Sequence, residues 1–289
     1  MSYLSKYLKH LQQYALLMRL HRPIGILLLL WPTLWALWIA GNGKPDVLIV
    51  TIFVLGVIVM RSAGCVINDI ADRNFDGLVA RTKDRPIANK KISVREAFIL
   101  FVVLCLCAFI LVLFLNRLTI LLALVGLALT IIYPFTKRYI ALPQLFLGFA
   151  FDWGVPMAFA AQTNSLPAIT WLVFLIAILW TIIYDTMYAM VDKEDDLKIG
   201  IKSTAILFGQ MDRFVLALLQ FVVLILFVLL GEILQLKIWY YFWLIFSACF
   251  FIYQQYLIKD RNPQRCFKAF LNNQWVGLFI FVGLLLAYL

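Results

Sequence analysis

The chain alternates between long apolar stretches and short polar segments over most of its length. A helix that crosses the hydrocarbon core of a bilayer needs about 20 mostly apolar residues, because the core is about 30 Å thick and each residue rises 1.5 Å. Small and polar residues interrupt the apolar stretches, as at 41–45 and 162–165. The pattern predicts nine membrane-spanning helices. They cover residues 22–41, 47–67, 95–115, 118–135, 141–161, 167–188, 205–230, 237–258 and 269–289.

Composition favours a membrane protein over a soluble one. Hydrophobic residues make up 64% of the 289 residues and charged residues 14%, against roughly 45–50% and about 25% in ordinary soluble domains. We therefore predict an all-α integral membrane protein, embedded in the lipid bilayer as a single domain over residues 1–289. Residues 1–21 carry lysines and leucines with polar breaks, which predicts an interfacial N-terminal segment. None of the five cysteines forms a CxxC pair, which disfavours a zinc site or a disulfide framework.

The net charge of +10 is distributed unevenly along the chain. Twenty-one of the 25 basic residues lie before the first span or in the loops after even-numbered spans, three lie in the opposite loops, and Arg61 lies within the second span. Because basic residues are retained on the cytoplasmic side, the pattern predicts a cytoplasmic N-terminus and a C-terminus on the other side. The positive charge is thus explained by topology, and we expect no nucleic-acid partner.

Eight of the fifteen acidic residues fall in two short windows, 68–76 and 185–196, at the cytoplasmic ends of the second and sixth spans. Carboxylates packed this closely repel one another unless a cation joins them. Each window contains two aspartates four residues apart, which predicts that each pair shares one face of a helix. The pairs are Asp72 with Asp76 and Asp192 with Asp196.

Two carboxylate pairs that face a common cavity suit a hard cation such as Mg²⁺, which takes its remaining ligands from water and substrate phosphates. Asn68 lies one turn before Asp72 and adds an amide oxygen. Arg81, Lys83 and Arg85 follow the first window and suit phosphate oxygens that are not bound by metal. Acids beside cations at the membrane surface predict a lipid diphosphate substrate.

Ion-coupled transport is the alternative from another class, because paired intramembrane acids also bind Na⁺ or H⁺. Two features disfavour it. The acids lie at cytoplasmic span ends rather than near the bilayer midplane, and transport gives no reason for the basic cluster at 81–85.

The two acidic windows resemble the motifs of a known family. Residues 68–76 read NDIADRNFD and are similar to the NDxxDxxxD motif of the UbiA superfamily of membrane-embedded prenyltransferases. Residues 184–196 read YDTMYAMVDKEDD and resemble that family's second aspartate motif. Stretches 21–38, 81–86 and 198–209 resemble one branch, the bacterial 4-hydroxybenzoate polyprenyltransferases of ubiquinone biosynthesis. The resemblance extends from about residue 20 to the end of the chain.

The resemblance implies a fold and a reaction. The fold is about nine transmembrane helices ringed around a central cavity, with cytoplasmic cap loops, in the bacterial inner membrane with a periplasmic C-terminus. The reaction moves an all-trans polyprenyl group from polyprenyl diphosphate to the ring carbon ortho to the hydroxyl (C3) of 4-hydroxybenzoate, with Mg²⁺ as cofactor and diphosphate as leaving group. Another acceptor, such as a naphthoate, homogentisate or haem, is the alternative within the family.

The resemblance also implies residue roles. One Mg²⁺ is expected at Asn68, Asp72 and Asp76 and a second at Asp192 and Asp196. Asp185 and Asp195 are expected to support the second ion, and Asp69 is expected to contact the ligands rather than the metal. The expected catalytic residues are Asp72, Asp76, Asp192, Asp196 and Arg138. The expected substrate-binding residues are Arg22, Arg81, Lys83, Arg85, Lys137, Tyr184, Asp185 and Tyr188.

Several of these roles have alternatives. Lys137 and Arg138 fit ordinary cytoplasmic charge, and they also fit a contact with diphosphate or with the benzoate carboxylate. Arg22 fits either ordinary cytoplasmic charge or a contact with the benzoate carboxylate. The general base for the phenol is either Asp192 or Asp185. Ring faces that shield the allylic carbocation are expected among the aromatic residues. The candidates are Phe149, Trp153, Tyr184 and Tyr188.

Overall fold

The computed structural model describes residues 3–78 and 82–289, and every regular element within these ranges is helical. Arg81, predicted to bind phosphate, lies outside the described residues. The helices are α1 (Tyr3–Leu17), α2 (Ile24–Ala40), α3 (Val47–Asp72), α4 (Val94–Val112), α5 (Arg117–Tyr139), α6 (Pro143–Phe151), α7 (Gly154–Thr163), α8 (Ala168–Ile199), α9 (Thr204–Leu207), α10 (Asp212–Ile233), α11 (Ile238–Leu257) and α12 (Pro263–Tyr288). A 3₁₀ helix, Asp76–Leu78, follows α3.

Each predicted span corresponds to a helix or, for 141–161, to the pair α6 and α7. Within the described residues, seven stretches are long and apolar enough to cross a membrane: α3, α4, α5, α6 with α7, α8, α10 and α12. The other two predicted spans correspond to α2, a shorter apolar helix of 17 residues, and α11, which has 20 residues and many aromatic side chains. The prediction of an all-α membrane protein is confirmed.

Two helices are longer than the spans predicted for them. α3 has 26 residues and α8 has 32, which correspond to about 39 Å and about 48 Å of helix. Both exceed the roughly 30 Å of the hydrocarbon core, which leaves length for their C-terminal ends to project beyond it. The predicted spans end at 67 and 188, and the helices continue to Asp72 and Ile199. Most acids of the two windows therefore lie on helical extensions.

The prediction that Asp72 and Asp76 share a helix face is wrong. α3 ends at Asp72, and Asp76 begins the following 3₁₀ helix. The backbone N–H of Phe75 donates to the carbonyl oxygen of Asp72 at 2.8 Å, which turns the chain sharply. Asp192 and Asp196 both lie on α8, as the spacing predicts.

Local sequence explains where the helices begin and end. Asp46 accepts hydrogen bonds from two backbone N–H groups of the first turn of α3, and Asn116 caps α5 in the same way. Ser93 and Glu96 form a reciprocal capping box at the start of α4. Gly43, with φ of +80°, completes the turn between α2 and α3, a conformation that glycine adopts without strain.

The helices form a closed ring. Neighbouring helices pack on one another around the bundle, and α12 packs back on α2. α8 contacts α2, α6, α10 and α12 and carries much of the core. Within that core Trp35 lies 5.3 Å from Trp180 and 5.4 Å from Phe227, measured between ring centroids. α4 and α5 expose many large apolar side chains, as lipid-facing helices do.

A buried carboxylate links three parts of the bundle at the end where α8 terminates. Asp212, at the start of α10, is fully buried. Arg261, in the loop before α12, donates from Nε to both of its oxygens at 3.0 Å, and Lys193 Nζ on α8 lies 3.4 Å from Oδ2. Hydrogen bonds to a charged group stabilise a fold by about 1.5–3 kcal/mol each.

We therefore expect Asp212→Ala to lower the free energy of unfolding by about 2 kcal/mol and the unfolding temperature by about 4–8 °C. The physical reason is that the substitution leaves Arg261 without its acceptor. Thermal unfolding of the purified protein in detergent measures the change. Asp260→Ala is the matched control, because Asp260 is an exposed carboxylate that pairs with Arg265 at 2.8 Å. Equal shifts for the two variants contradict the prediction.

Candidate active site

Acids from both windows line one cavity at the end of the bundle where α3 and α8 terminate, and we name it the acidic cavity. Its volume is about 160 Å³. The helical extensions of α3 and α8 bring the two windows together across 120 residues of sequence. The predicted residues that line it are Asn68, Asp72, Asp76, Arg85, Lys137, Asp185, Tyr188, Asp192 and Asp196.

Asp72 is the most enclosed of the acids in this cavity, with 2% of its surface exposed. Its Oδ2 accepts from Asn68 Nδ2 at 3.1 Å and from Lys137 Nζ. Arg138 Nη2 lies 3.9 Å from Oδ1. Oδ1 is buried and has no hydrogen-bond donor among the described residues. A buried carboxylate oxygen without a donor is a site where a cation is favourable.

Asp69 and Asp76 share a cation. Arg85 Nη1 donates to both oxygens of Asp76 at 2.8 and 2.9 Å and lies 3.1 Å from Asp69 Oδ1. Arg19, in the loop after α1, donates to the same oxygen of Asp69 at 2.7 Å. Burial raises the pKa of Asp76, and the Arg85 charge opposes that effect. The Arg85 guanidinium therefore offsets part of the cost of burying this carboxylate.

A larger cavity of about 410 Å³ continues from the acidic cavity into the bundle, and we name it the central cavity. Asn68, Arg85, Tyr133, Asp185 and Tyr188 line both cavities. The wall of the central cavity has fewer acids and more aromatic side chains than that of the acidic cavity. Tyr184 and Phe270 belong to its wall, and the rings of Tyr188 and Phe270 lie 4.6 Å apart. A charged end and an aromatic interior thus adjoin.

Arg61 is a residue of this site that the sequence analysis did not assign. It lies within α3, lines the central cavity and places its guanidinium 5.6 Å from the Phe151 ring. Its Nη1 contacts Cys65 Sγ, and its buried Nε has no acceptor within the part of the chain that the structure describes. The position of Arg61 in the sequence could have identified it, because a single charged residue inside a membrane span is a functional candidate.

Gly25 makes room for this arginine. A Cβ at Gly25 would lie 2.3 Å from Arg61 Nε. The missing side chain on α2 therefore allows the guanidinium to lie against the helix backbone.

The other predicted residues have different surroundings. Arg22 is exposed and lines the rim of the central cavity, and Lys83 is exposed and lines neither cavity. Arg138 lies over the rings of Phe75 and Phe135 at 5.1 and 5.5 Å and donates to the Ala71 carbonyl oxygen.

Asp195 does not line the acidic cavity. Its Oδ1 accepts a hydrogen bond from Lys198 Nζ at 3.1 Å. Of the four aromatic candidates, Tyr184 and Tyr188 line the central cavity. Trp153 lines a neighbouring apolar cavity. Phe149 packs 5.9 Å from Phe174, between ring centroids.

The donor set of the acidic cavity fits Mg²⁺ that is bound together with a phosphate ligand. Among the described residues, no group of three or more His, Cys, Asp or Glu side chains is close enough to hold a metal ion. Mg²⁺ prefers oxygen ligands and is commonly held by one or two carboxylates plus substrate phosphates. Asp72 Oδ1 offers one such oxygen without a competing donor in the described chain. Asp192 and Asp196 offer carboxylates from the facing helix.

Comparison with known proteins identifies the family. The model of the UbiA prenyltransferase family matches residues 29–285. The chain belongs to this family. The relatives of this UbiA-family protein include the 4-hydroxybenzoate octaprenyltransferase of Alkalilimnicola ehrlichii, 59% identical over 95% of this chain and 94% of the relative. A Coxiella burnetii protein of the same name is 55% identical over 97% of this chain and 98% of its own length.

Solved structures share the UbiA fold. The apo structure of a UbiA homolog from Aeropyrum pernix K1 matches with a TM-score of 0.78 at 24% identity, over 90% of this chain and 98% of that one. A UbiA homolog from Archaeoglobus fulgidus bound to GPP and Mg²⁺ matches with a TM-score of 0.73 at 18% identity, over 94% and 99%. The ring of helices described above is therefore the fold of this family.

We expect Mg²⁺ with inorganic diphosphate to raise the unfolding temperature of the purified UbiA-family protein. A ligand that binds only the native state stabilises it by about 2.7 kcal/mol at 100 times its Kd. Asp72→Asn and Asp192→Asn should each reduce this shift in a thermal-unfolding assay, because both remove a charge from the acidic cavity. Asp195→Asn is the control that should retain it. A full shift in the first two variants contradicts the assignment of this cavity.

Proposed function

We propose that this protein transfers an all-trans polyprenyl group from polyprenyl diphosphate to C3 of 4-hydroxybenzoate, with release of diphosphate, in ubiquinone biosynthesis. The observation that carries the proposal is the acidic cavity, in which acids of both windows face one another and the aromatic central cavity continues inward. Relatives that carry the name 4-hydroxybenzoate octaprenyltransferase at 55–59% identity over nearly the whole chain support this acceptor and a long prenyl chain.

The acidic cavity is our proposed diphosphate site. Asn68, Asp72 and Asp76 would hold one Mg²⁺, and Asp192 and Asp196 a second, with Asp185 beside them. Bound Mg²⁺ supplies positive charge to the diphosphate oxygens as the carbon–oxygen bond breaks. The homologue from Archaeoglobus fulgidus that is bound to GPP and Mg²⁺ supports this assignment.

The basic residues around the cavity would bind the leaving group. Lys137, Arg138 and Arg85 contact the aspartates, and Lys137 and Arg85 line the cavity. Negative charge increases on the diphosphate oxygens in the transition state, so fixed cations at this end stabilise the transition state more than the ground state. Arg138 is the proposed catalytic cation, because its guanidinium is held between two rings and a backbone carbonyl.

The central cavity is our proposed acceptor site. The carboxylate of 4-hydroxybenzoate would pair with the buried side of Arg61, whose Nε lacks an acceptor within the described residues. Arg22 at the rim would attract the anion toward the cavity. Asp185 is our choice for the base that receives the phenol or ring proton, since it lines both cavities and so lies between the two substrates.

The aromatic wall would protect the reactive carbon. Loss of diphosphate leaves an allylic carbocation, which must meet the acceptor ring before it meets water. Tyr184 and Tyr188 offer ring faces to the central cavity, and Phe267 and Phe270 on α12 continue the same wall. Ring faces attract cations, so the wall lowers the energy of the charged intermediate without reacting with it.

We also propose an orientation in the bacterial inner membrane. The distribution of basic residues favours a cytoplasmic N-terminus, a cytoplasmic acidic cavity and a periplasmic C-terminus. This orientation gives the site access to the soluble substrate 4-hydroxybenzoate from the cytoplasm and to the prenyl chain from the bilayer.

The proposed reaction is tested with membranes that contain the protein, 4-hydroxybenzoate, octaprenyl diphosphate and Mg²⁺, with the product detected by mass spectrometry. We expect 3-octaprenyl-4-hydroxybenzoate with wild-type protein and none after chelation with EDTA. Asp72→Ala and Asp192→Ala should abolish turnover at unchanged amounts of protein in the membrane, because each removes a proposed metal ligand. Prenylation of a naphthoate in place of 4-hydroxybenzoate would show that the acceptor is wrong, and full activity of either variant would contradict the metal assignment.

Arg61→Met should raise the KM for 4-hydroxybenzoate by about 10–100-fold, since a hydrogen bond to a charged group contributes about 1.5–3 kcal/mol and each 1.4 kcal/mol is tenfold. Gly25→Ala should give a smaller increase, because its Cβ displaces the guanidinium without removing it. The KM for the prenyl diphosphate should change less than twofold in both variants. Steady-state kinetics with each substrate varied in turn makes the comparison. An unchanged acceptor KM in Arg61→Met excludes the carboxylate contact.

A further inference from the structure

A carboxyl group is buried at the interruption between α6 and α7. Asp152 is 1% exposed and lines neither the acidic nor the central cavity. Pro156 has no N–H to donate to the Asp152 carbonyl oxygen, and the backbone N–H of Val155 donates to it instead at 2.8 Å, so the helix is interrupted here. Ionisable residues inside a membrane-spanning segment are rare and mark functional sites. Asp152 is therefore a functional candidate outside the proposed metal site.

Asp152 has one side-chain partner among the described residues. Its Oδ2 lies 2.7 Å from Thr181 Oγ1 on α8, and its Oδ1 is buried without a hydrogen-bond donor in the described chain. An ionised carboxylate that is buried without a cation is strongly unfavourable, and the neutral acid avoids most of that cost. A carboxylic acid that is kept neutral by its surroundings can donate a hydrogen bond. Asp152 can thus serve as a donor to Thr181.

Thr181 connects Asp152 to the wall of the central cavity. Its Oγ1 also lies 2.9 Å from the hydroxyl oxygen of Tyr184, and Tyr184 lines that cavity. A threonine hydroxyl has one hydrogen, so it can donate to only one of these two neighbours. With a neutral Asp152, Asp152 donates to Thr181 and Thr181 donates to Tyr184. We name this series of hydrogen bonds the Asp152 chain.

The direction of the Asp152 chain makes the hydrogen of the Tyr184 hydroxyl available to a further acceptor. The rings of Trp180 and Phe270 pack 5.3 and 6.2 Å from the Tyr184 ring, between centroids. Thr181 is the one hydrogen-bond partner of the Tyr184 hydroxyl within the described residues. The acceptor for this hydrogen would then come from a ligand in the central cavity.

An anionic oxygen is the acceptor that suits this wall. Arg61 also lines the central cavity, and its guanidinium lies 5.6 Å from the ring of Phe151, which precedes Asp152 in the chain. A carboxylate only accepts hydrogen bonds, and bonds to a charged acceptor are about twice as strong as neutral ones. Hydrogen bonds in a series polarise one another, so the Asp152 chain strengthens the bond that Tyr184 donates.

We infer that Tyr184 donates a hydrogen bond to the carboxylate of the aromatic acceptor beside Arg61, and that Asp152 is a positioning residue that sets the direction of this bond through Thr181. The inference rests on the proposed function, since it takes the central cavity as the acceptor site. Asp152 itself touches no substrate atom. An ionised Asp152 would reverse the chain, because Tyr184 would then donate to Thr181 and present only lone pairs to an anion.

The test measures the Kd of 4-hydroxybenzoate and of its uncharged methyl ester by isothermal titration calorimetry, with the full chain in lipid nanodiscs and with Mg²⁺ and inorganic diphosphate present. Thr181→Val keeps the shape of the side chain and interrupts the Asp152 chain. We expect 4-hydroxybenzoate to bind about tenfold more weakly, the loss typical of one hydrogen bond to a charged group. The Kd of the methyl ester should change less than threefold.

Thr170→Val is the matched control. Thr170 lies on α8 and is fully buried like Thr181, and its hydroxyl has no hydrogen-bond partner in the described part of the chain. Both Kd values should stay at the wild-type level in this variant. In a Tyr184→Phe background, Thr181→Val should cause no further loss, because the Asp152 chain acts through the Tyr184 hydroxyl.

Two substitutions of Asp152 test the direction of the chain. The side-chain amide of Asp152→Asn can donate to Thr181 as the neutral acid does, whereas Asp152→Leu offers no donor. We expect 4-hydroxybenzoate to bind about tenfold more weakly to Asp152→Leu and at most threefold more weakly to Asp152→Asn. An equal loss in the two variants overturns the direction that we assign.

The outcomes separate this inference from the proposed function. Wild-type protein that does not prenylate 4-hydroxybenzoate contradicts the proposed function itself. Active wild-type protein together with equal Kd values in Thr181→Val and Thr170→Val overturns the role of the Asp152 chain alone. Equal weakening of the acid and of its methyl ester in Thr181→Val also overturns it, because a distorted cavity weakens both ligands. Thr181→Val keeps the test valid if Asp152→Leu is poorly produced, since valine is close to threonine in shape.

Discussion

The burial of three aspartates at and just after the C-terminal end of α3 is the constraint on which the rest of the site depends. Asp69, Asp72 and Asp76 are each less than 10% exposed, and ionised carboxylates are unfavourable there unless cations and hydrogen bonds compensate. The compensating cations come from three separate parts of the chain. They are Arg19 after α1, Arg85 in the loop after the 3₁₀ helix, and Lys137 with Arg138 at the end of α5. These ion pairs therefore fix how the loop after α1, the loop after the 3₁₀ helix and the end of α5 pack against α3.

Polarity falls from one cavity to the next. The acidic cavity is charged, the central cavity combines three tyrosines with arginines and three aspartates, and the apolar cavity that Trp153 lines is almost entirely hydrocarbon. A prenyl diphosphate has the same order of properties along its length, with an anionic head, a reactive allylic carbon and an apolar chain. In our proposal, the Arg61 guanidinium on the wall of the central cavity would bind the carboxylate of the acceptor beside the reactive carbon.

Several elements were predictable from short stretches of sequence. Apolar length predicted the spans, and the spacing of Asp192 and Asp196 predicted one face of α8, which continues as a helix beyond the membrane. Spacing failed for Asp76, because α3 ends at Asp72 and Arg85 binds Asp76 in a separate turn. A four-residue interval indicates a shared face only where the helix continues. The contact between Asp76 and Arg85 joins residues nine positions apart, and no periodicity encodes it.

The sequence by itself determined the membrane-embedded helical fold, its predicted orientation and the residue types of the acidic site, because hydropathy, charge and motif are properties of neighbouring residues. Tertiary structure decided which cation pairs with which acid, since Arg19 and Asp69 are 50 positions apart and Lys137 and Asp72 are 65 apart. It also decided the role we propose for Arg61, for which sequence offered an isolated charge. Contacts and empty space between helices arise only when distant segments pack, and a ligand path through a bundle consists of such contacts and spaces.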